Sequence, residues 1–290
     1  MVTLTVFTPT YNRAYCLDRC YKSLLRQTSS DFQWLIIDDG STDNTKEIVD
    51  IWKAEGKIPI QYIYKENGGM HTGYNVAYNS IFTELAMCVD SDDYLTDDAV
   101  EKILKIWKEK KNEKTAGIMG LDIDNTGKII GTELPNIEYM KVYDFYYRYK
   151  GKGYKKQVYR PELMRKFVSP EFSGERLFPT CYKYYQVDLD YDMIVLNEPL
   201  CVVEYMPDGF TSNILKSYKN NLNSYIFYRR FILEYPNATL THKFRFAVHY
   251  VAECLLNHER KWLASVSSKG IVIAAIPCGI LLYLYIQVKT

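Results

Sequence analysis

Residues 86–95 read Ala-Met-Cys-Val-Asp-Ser-Asp-Asp-Tyr-Leu, an apolar run that ends abruptly in acidic residues. The run predicts a buried strand, so Asp90, Asp92 and Asp93 are expected on the turn at its carboxyl end. In an open α/β sheet, ligands bind at that edge. Carboxylates this close repel one another, and a hard divalent cation shared with a substrate phosphate relieves the repulsion. The alternative is a surface turn that caps the next helix, a role also open to Asp97.

The residues before this stretch alternate short apolar runs with helix-like segments. Strands are predicted at Val2–Thr8, Phe32–Ile37 and Ile60–Tyr64, and each is followed by a polar turn and a helical pattern. This alternation predicts an α/β protein with a doubly wound, mostly parallel sheet. Because every polar turn follows a strand, all the turns should meet along one edge of the sheet.

The bulk composition argues against several other classes of protein. A chain of 290 residues is long enough for one large domain with appendages. Its formal charge of +1 gives no sign of nucleic-acid binding. The seven cysteines lack metal-type spacing and are typical of a reducing compartment. The first residues already form a core strand rather than a secretory signal, so we expect a cytoplasmic protein with no nucleic-acid partner.

The polar turns, taken together, resemble glycosyltransferase family 2. They are Thr8-Pro9-Thr10-Tyr11-Asn12-Arg13, Asp38-Asp39-Gly40-Ser41-Thr42-Asp43, Asn67-Gly68-Gly69 with Asn75, and Asp90-Ser91-Asp92-Asp93. Any one of these motifs alone is weak, whereas four in this order are specific. Members of that family have a GT-A fold and transfer sugars with inversion from nucleotide-sugar donors. The resemblance therefore implies that fold and that chemistry here.

The resemblance assigns the first two turns to the nucleoside of the donor. Pro9 and Tyr11 would present a stiffened turn and an aromatic face to the uracil and ribose of a UDP-type donor. Asp39 would accept a hydrogen bond from the base N–H. Asp38, beside it, is expected to be a turn or orienting residue.

The third and fourth turns are assigned to the rest of the donor. Asn67, Gly68 and Gly69 would let the backbone approach the donor closely. Asp90 is expected to contact the ribose or a metal-bound water. Asp92 is the expected direct ligand of Mn²⁺ or Mg²⁺, which would neutralise the diphosphate leaving group.

The chain departs from the family pattern after the glycine pair. Relatives often carry basic residues where this chain has Met70 and Tyr74. His71 is either a replacement donor or a structural histidine. The departure bears on which donor is used and leaves the class of donor unchanged.

The second half is expected to hold the acceptor side. Strands are predicted near Ala116–Asp122 and Lys128–Gly131. An inverting transfer needs a general base that takes the proton of the acceptor hydroxyl. The resemblance assigns this role to Glu175, in a Gly-Glu-Arg run. The alternative is that Glu175 caps a helix or pairs with Arg176.

The C-terminal region is predicted to be helical and to end in an apolar segment. The polar loop at 204–211 precedes it and is expected either to close on a substrate or to be a simple turn. Gly270–Ile286 carry no charge and follow Lys261 and Lys269. This pattern is typical of a hairpin or helix on the cytoplasmic face of a membrane. A packed terminal helix or an oligomer contact is the alternative.

We therefore predict a GT-A glycosyltransferase domain over residues 1–210 and a helical region over 211–290. Residues 1–110 would bind the nucleotide sugar and 111–210 the acceptor. The predicted function is metal-dependent, inverting transfer from a UDP-type sugar to a glycan or lipid-linked acceptor in bacterial surface polysaccharide synthesis. The alternatives are a non-catalytic partner of another transferase and a nucleotidyltransferase, which normally needs a glycine-rich loop that Thr8–Arg13 lacks.

Overall fold

The structure is a computed structural model of the chain and describes residues 2–204 and 218–289. The chain forms two compact units, each with its own hydrophobic core. The first comprises Met1–Val168 and Lys183–Met206, and the second comprises Ser169–Tyr182 and Pro207–Thr290. The predicted boundary at residue 210, like most of the loop at 204–211, lies outside the described residues.

The first unit is built on a nine-stranded sheet. In chain order its strands are β1 (Leu4–Thr10), β2 (Phe32–Asp38), β3 (Ile60–Tyr64), β4 (Leu85–Cys88), β5 (Tyr94–Leu95), β6 (Thr115–Ile123), β7 (Tyr139–Met140), β8 (Lys155–Tyr159) and β9 (Asp192–Val202). Their order across the sheet is β3-β2-β1-β4-β8-β6-β9-β5, with β7 paired to β9.

Short helices connect these strands. They are α1 (Ala14–Leu25), α2 (Thr45–Glu55), α3 (Met70–Ser80), α4 (Ala99–Lys110), α5 (Val142–Tyr147), α6 (Pro161–Met164) and α7 (Cys181–Val187). Helix α1 shows why they form, since Leu17, Tyr21 and Leu24 recur at helical spacing and are all buried. Helix α2 ends at Gly56, which adopts the left-handed conformation that favours glycine after a helix.

The first four strands are parallel to one another, as the alternation of strands and helices predicts. Val6 of β1 lies between Trp34 of β2 and Met87 of β4. Strands β1, β2 and β4 are almost continuously buried, as expected for parallel strands covered on both faces, whereas the edge strand β3 is only partly buried. Beyond β4 the sheet is mixed, because β8 runs antiparallel to both β4 and β6. The strand predicted at Lys128–Gly131 is wrong, since that segment makes a single bridge to Ile123.

Three long helices form most of the described part of the second unit. They are α8 (Leu222–Glu234), α9 (Leu240–Leu256) and α10 (Lys269–Lys289), and α9 packs against both of the others. A buried ion pair between Arg229 and Glu253, 3.1 Å apart, joins α8 to α9. Helix α10 continues through Pro277 as a single helix. Of the two forms predicted for this segment, a hairpin or a helix, the hairpin is therefore wrong.

Candidate active site

The turns that follow β1 and β2 are joined by hydrogen bonds. Asn12 adopts a left-handed backbone with φ 51°, which asparagine tolerates better than most residues. Its side-chain oxygen accepts from the N–H of Thr42 at 2.7 Å, and its own N–H donates to Ser41 Oγ at 2.9 Å. Pro9 lies in β1 just before this turn, and the turn leaves the ring of Tyr11 45% exposed.

Asp39, at the end of β2, organises the loop between β3 and α3. Its two carboxylate oxygens accept the backbone N–H groups of Gly68 at 3.0 Å and Gly69 at 2.7 Å. Lys65 forms an ion pair with the same carboxylate. The side-chain amide of Asn67 donates to the Asp39 carbonyl at 2.8 Å. Three predicted donor-site residues, Asp39, Asn67 and Gly69, therefore lie together, and the Asp39 carboxylate is held by the chain itself.

Two neighbours of Asp39 explain why these turns pack so tightly. Asp38 is buried and accepts hydrogen bonds from the Ser41 N–H at 2.7 Å and the Tyr62 hydroxyl at 2.5 Å. These contacts are those of an orienting residue. Gly40 has φ 87°, and a Cβ there would lie 2.8 Å from the backbone N of Asn67. Only glycine fits such a close approach.

The Asp-rich turn follows β4 at the same edge of the sheet. Asp90 and Asp92 are half-buried, and the Asp93 N–H donates to the Asp90 carbonyl at 3.0 Å. Two effects raise the pKa of Asp92: burial, which is the larger, and the negative charge of Asp90. The positive charges of Arg13 and Arg19 lower it. A carboxylate desolvated beside another carboxylate is stabilised by added positive charge. Arg13, the N-cap of α1, was predicted only as part of the first turn, and Arg19, within α1, was not predicted at all.

A buried lysine lies behind the Asp-rich turn and was also not predicted. Lys156 of β8 is 8% exposed, and its Nζ is 3.9 Å from an Asp122 carboxylate oxygen and 3.4 Å from the Cys88 carbonyl. Asp93 is buried as well, and its carboxylate accepts the Glu204 N–H at 3.3 Å. The sequence gives no clear signal for this group, because Lys156 lies in a strand that begins Lys155-Lys156-Gln157.

The positions that depart from the family pattern are occupied in different ways. Met70 begins α3 and is 47% exposed. Tyr74 is buried, and its ring packs edge-on against Phe7 with 5.3 Å between centroids. His71 is 2% exposed, as expected of a structural histidine. The positive charge near the Asp-rich turn therefore comes from Arg13, Arg19 and Lys156 rather than from α3.

Glu175 belongs to the second unit, where its carboxylate binds the amino terminus of α8. One oxygen accepts the backbone N–H of Asn223 at 2.7 Å and its side-chain amide at 2.8 Å. The other oxygen accepts the Ser224 N–H at 2.8 Å. This is the helix-capping geometry given above as the alternative, and it places negative charge at a helix amino terminus. The assignment of Glu175 as the general base stays a prediction.

The Asp-rich turn fits a divalent cation of a particular kind. Within residues 2–204 and 218–289, no group of three or more His, Cys, Asp or Glu side chains is arranged to hold a metal ion. Mg²⁺ and Mn²⁺ in phosphate chemistry are commonly held by one or two carboxylates together with substrate phosphates and water. Asp92 and the neighbouring Asp90 would offer carboxylate oxygens to a cation held in that way.

Comparison with known proteins identifies the class of protein. The sequence model described as glycosyl transferase family 2 matches residues 5–166, more than half of the chain. The chain belongs to this family.

Several curated relatives act on polysaccharides. The chain is 34% identical over 128 residues to a chondroitin synthase of Pasteurella multocida, a match over 44% of this chain and 13% of the relative. It is 27% identical over 211 residues to the poly(ribitol-phosphate) β-N-acetylglucosaminyltransferase TarP of Staphylococcus aureus, covering 68% of this chain and 64% of TarP. The chain thus spans a small part of the synthase and under two thirds of TarP.

Solved structures show the same fold. The S. aureus TarS 1–349 structure superposes with a TM-score of 0.66 at 18% identity, covering 99% of this chain and 90% of that chain. Its complex with UDP-GlcNAc gives a TM-score of 0.65 at 18% identity, again over 99% of this chain and 90% of that chain. A mannosyltransferase from Pyrobaculum calidifontis, in complex with GDP-Man and Mn²⁺, gives 0.56 at 15% identity over 96% and 86% of the two chains. The predicted GT-A fold is confirmed.

Proposed function

We propose that this chain transfers a sugar, with inversion, from a UDP-sugar to a glycan or lipid-linked acceptor. The observation that carries the proposal is the convergence of Asp39, Asn67, Gly69 and the pair Asp90 and Asp92 on turns that follow three parallel strands. Ligands bind at that edge of such sheets. The UDP class is supported by the UDP-GlcNAc complex of a protein with the same fold.

In this proposal each turn has a separate task at the donor. Tyr11 and Pro9 border the nucleoside, with the Tyr11 ring available for stacking. The backbone of the 67–69 loop, fixed by Asp39, lies along the donor. Asp90 faces the ribose or a metal-bound water.

The leaving group is a nucleoside diphosphate, so its departure requires positive charge. Asp92 would hold Mn²⁺ or Mg²⁺, which neutralises charge on the departing diphosphate when bound. Arg13 and Arg19 are already close enough to lower the pKa of Asp92. They would add to the stabilisation of the departing anion.

The acceptor side is proposed from the relatives and the resemblance. Glu175 would take the proton of the acceptor hydroxyl, after leaving at least one of its bonds to α8. The acceptor is proposed to be a bacterial surface glycan, because the relatives include a chondroitin synthase and a poly(ribitol-phosphate) transferase. A lipid-linked acceptor would place the enzyme at the inner face of the cell membrane.

Thermal unfolding with a panel of UDP-sugars, and with GDP- and dTDP-sugars as controls, tests donor binding. A bound donor raises the melting temperature in proportion to the logarithm of its concentration over its dissociation constant. We expect a shift with one UDP-sugar that requires Mn²⁺ and is lost in Asp92→Asn. Asp97→Asn, on the same segment but paired with Arg26, is the matched control and should keep the shift. Shifts that are equal in both variants would contradict the proposal.

The geometry of Glu175 favours a second candidate function. Because both carboxylate oxygens already bind α8, the chain could bind a nucleotide sugar and support another transferase without catalysing transfer. Release of UDP from the bound donor distinguishes the two. A chain that shows the thermal shift but releases no UDP with a panel of glycan acceptors would be such a partner.

A further inference from the structure

Helix α10 is apolar on all sides but only partly buried. Its window Lys269–Val288 has a mean hydropathy of 2.2 over 20 residues, which is long and apolar enough to cross a membrane by length and composition alone. Only 22% of that window is buried. An apolar helix with an uncovered face requires a partner.

One face of α10 is committed to α9. Val272, Ala275 and Ile286 on this face are buried. A Cβ added to Gly279 would lie 2.5 Å from Cβ of Val251. The glycine therefore lets the two helices meet at close range, and this face is part of the core of the second unit.

The opposite face carries a continuous apolar stripe. Its members recur at helical spacing and are each at least 42% exposed: Ile273, Ile280, Leu281, Leu284 and Val288. At 1.5 Å per residue the stripe is about 22 Å long. We call this set the α10 stripe. Tyr285 lies beside it and is 54% exposed.

A cationic cavity of about 400 Å³ lies at the amino end of α10. It is lined by Arg260, Lys261, Leu263, Ala264 and Lys269. No carboxylate lines it, and among the described residues none of its three cations forms an ion pair. Two nearby acids are otherwise engaged: Glu234 accepts the Ser267 N–H at 2.8 Å, and Glu259 accepts the Lys261 N–H at 3.3 Å.

We propose that the α10 stripe docks on an anionic phospholipid bilayer, with the helix lying in the plane of the interface and the cationic cavity binding lipid phosphates. An apolar face next to a cavity lined by three cations and no acid matches this surface. The proposal deepens the membrane location proposed above, but it concerns a surface that takes no part in donor binding.

The packing of α10 favours a helix on the membrane over one across it. A spanning α10 would either lose Val251 from its Gly279 face or draw α9 into the hydrocarbon. Helix α9 carries Glu253, which is fully buried and paired with Arg229 of α8. Placing that pair at bilayer depth is expensive, whereas docking the exposed face leaves it undisturbed.

Co-sedimentation of the full chain with vesicles tests the surface. Binding is expected to vesicles of phosphatidylglycerol and phosphatidylcholine, to weaken in high salt, and to be far weaker to phosphatidylcholine alone. Leu281→Glu combined with Leu284→Glu should lower the partition coefficient at least tenfold. Phe82→Glu, an 81% exposed apolar residue of the first unit, should leave it unchanged.

A charge-matched pair of variants tests the cavity. Replacing Arg260, Lys261 and Lys269 by Gln should lower partition on the order of a hundredfold, since each surface cation contributes about 1 kcal/mol. Replacing the exposed Lys53, Lys105 and Lys108 by Gln changes net charge equally and should have much less effect. Equal losses of vesicle partition in the two triple variants would overturn the proposal that the cavity binds lipid phosphates.

Depth measurements distinguish a lying helix from a spanning one and need no disruptive variant. In a Cys278→Ser background, fluorophores placed by Ile273→Cys, Leu281→Cys and Val288→Cys should be quenched at one common depth. A central label much deeper than the two ends would show a spanning helix and overturn the proposal. A second result would also overturn the proposal: a concentration-dependent dimer in solution that Leu281→Glu and Leu284→Glu dissociate, together with no vesicle binding. Vesicle binding without any UDP-sugar shift would leave this inference standing and remove only the proposed transfer.

Discussion

Lys156 Nζ lies 3.9 Å from the Asp122 carboxylate, and both side chains are at least nine-tenths buried beneath the Asp-rich turn. Burial alone would lower the pKa of Lys156, but the acidic groups around it, Cys201, Asp122 and Asp93 among them, raise that pKa well above its usual value. The lysine therefore stays charged and supplies the internal positive charge for a cluster of buried acids. It balances part of the negative charge of this cluster from inside the protein.

Replacing Lys156 by Met should destabilise the first unit by about 3–5 kcal/mol, because the buried Asp122 carboxylate loses its cation. The loss should depend on pH. Burial raises the pKa of Asp122 in the folded state above its unfolded value, and removing the lysine raises it further. Below the pKa of Asp122 in the unfolded chain, the variant keeps its free energy of unfolding. That free energy is lost as the pH rises through the pKa of Asp122 in the folded chain. Urea unfolding at pH 5 and pH 8 should show a larger deficit at pH 8.

Lys155→Met is the control for this prediction. Its ammonium donates to the carbonyls of Ile130, Lys152 and Tyr154 and forms no ion pair within the described residues. Losing these bonds should cost about 1–3 kcal/mol. The difference between the two pH values should be smaller than for Lys156→Met, because Lys155 lowers the pKa of Asp122 less than Lys156 does. If both variants lost the same amount at both pH values, Lys156 would not be acting through charge.

Asp39→Asn should loosen the loop between β3 and α3. The carboxylate accepts two backbone N–H groups and pairs with Lys65, whereas an amide offers one oxygen and turns an NH₂ toward donors. In the native chain these bonds should slow hydrogen exchange at the Gly68 and Gly69 amides. Asp39→Asn should remove this protection. Donor affinity should fall at least tenfold.

Lys65→Met keeps the two backbone bonds to Asp39 and removes only the cation. It should keep the slow exchange at Gly68 and Gly69 while affinity falls by a smaller factor. Fast exchange in both variants would mean that the ion pair, rather than the backbone bonds, holds the loop.

Part of the site could be predicted from the sequence, because it depends only on where the turns of a parallel sheet lie. Polar turns after parallel strands must meet at one edge, so the proximity of Asp39, Asn67 and Gly69 followed from the order of strands and helices. The register of β6 against β8, which places Lys156 opposite Gly120, cannot be read from either strand alone. Hence the Lys156–Asp122 pair was not predicted.

Glu175 illustrates a different limit. A Gly-Glu-Arg run is compatible with a functional acid and with a helix cap, because both roles need an accessible carboxylate. Its partners, Asn223 and Ser224, are far along the chain and belong to a different helix from the one that follows Glu175. Only the packing of the second unit brings them to it.

Glu175→Gln separates catalysis from capping. If Glu175 is the general base, the rate of transfer should fall by a factor of about 10² or more. The UDP-sugar thermal shift should persist. A capping role alone predicts a loss of about 0.5–2 kcal/mol in stability and little change in the rate of transfer. Asn223→Ala is the control, because it removes one bond to Glu175 and leaves the carboxylate in place.

Two glycines of the same helix give the sharpest test of how α10 packs. A Cβ added at Gly279 would meet Val251 at 2.5 Å, whereas one at Gly270 meets nothing within 4 Å. Alanine is favoured over glycine inside a helix by roughly 0.5–1 kcal/mol. Gly270→Ala, in the first turn of α10, should therefore be neutral or stabilising, whereas overpacking makes Gly279→Ala destabilising by about 1–3 kcal/mol. Thermal unfolding of the full chain measures both changes under identical conditions. Two variants that were equally stable would show that α10 does not rest on α9 through Gly279, and a spanning helix would then no longer conflict with the packing of the second unit.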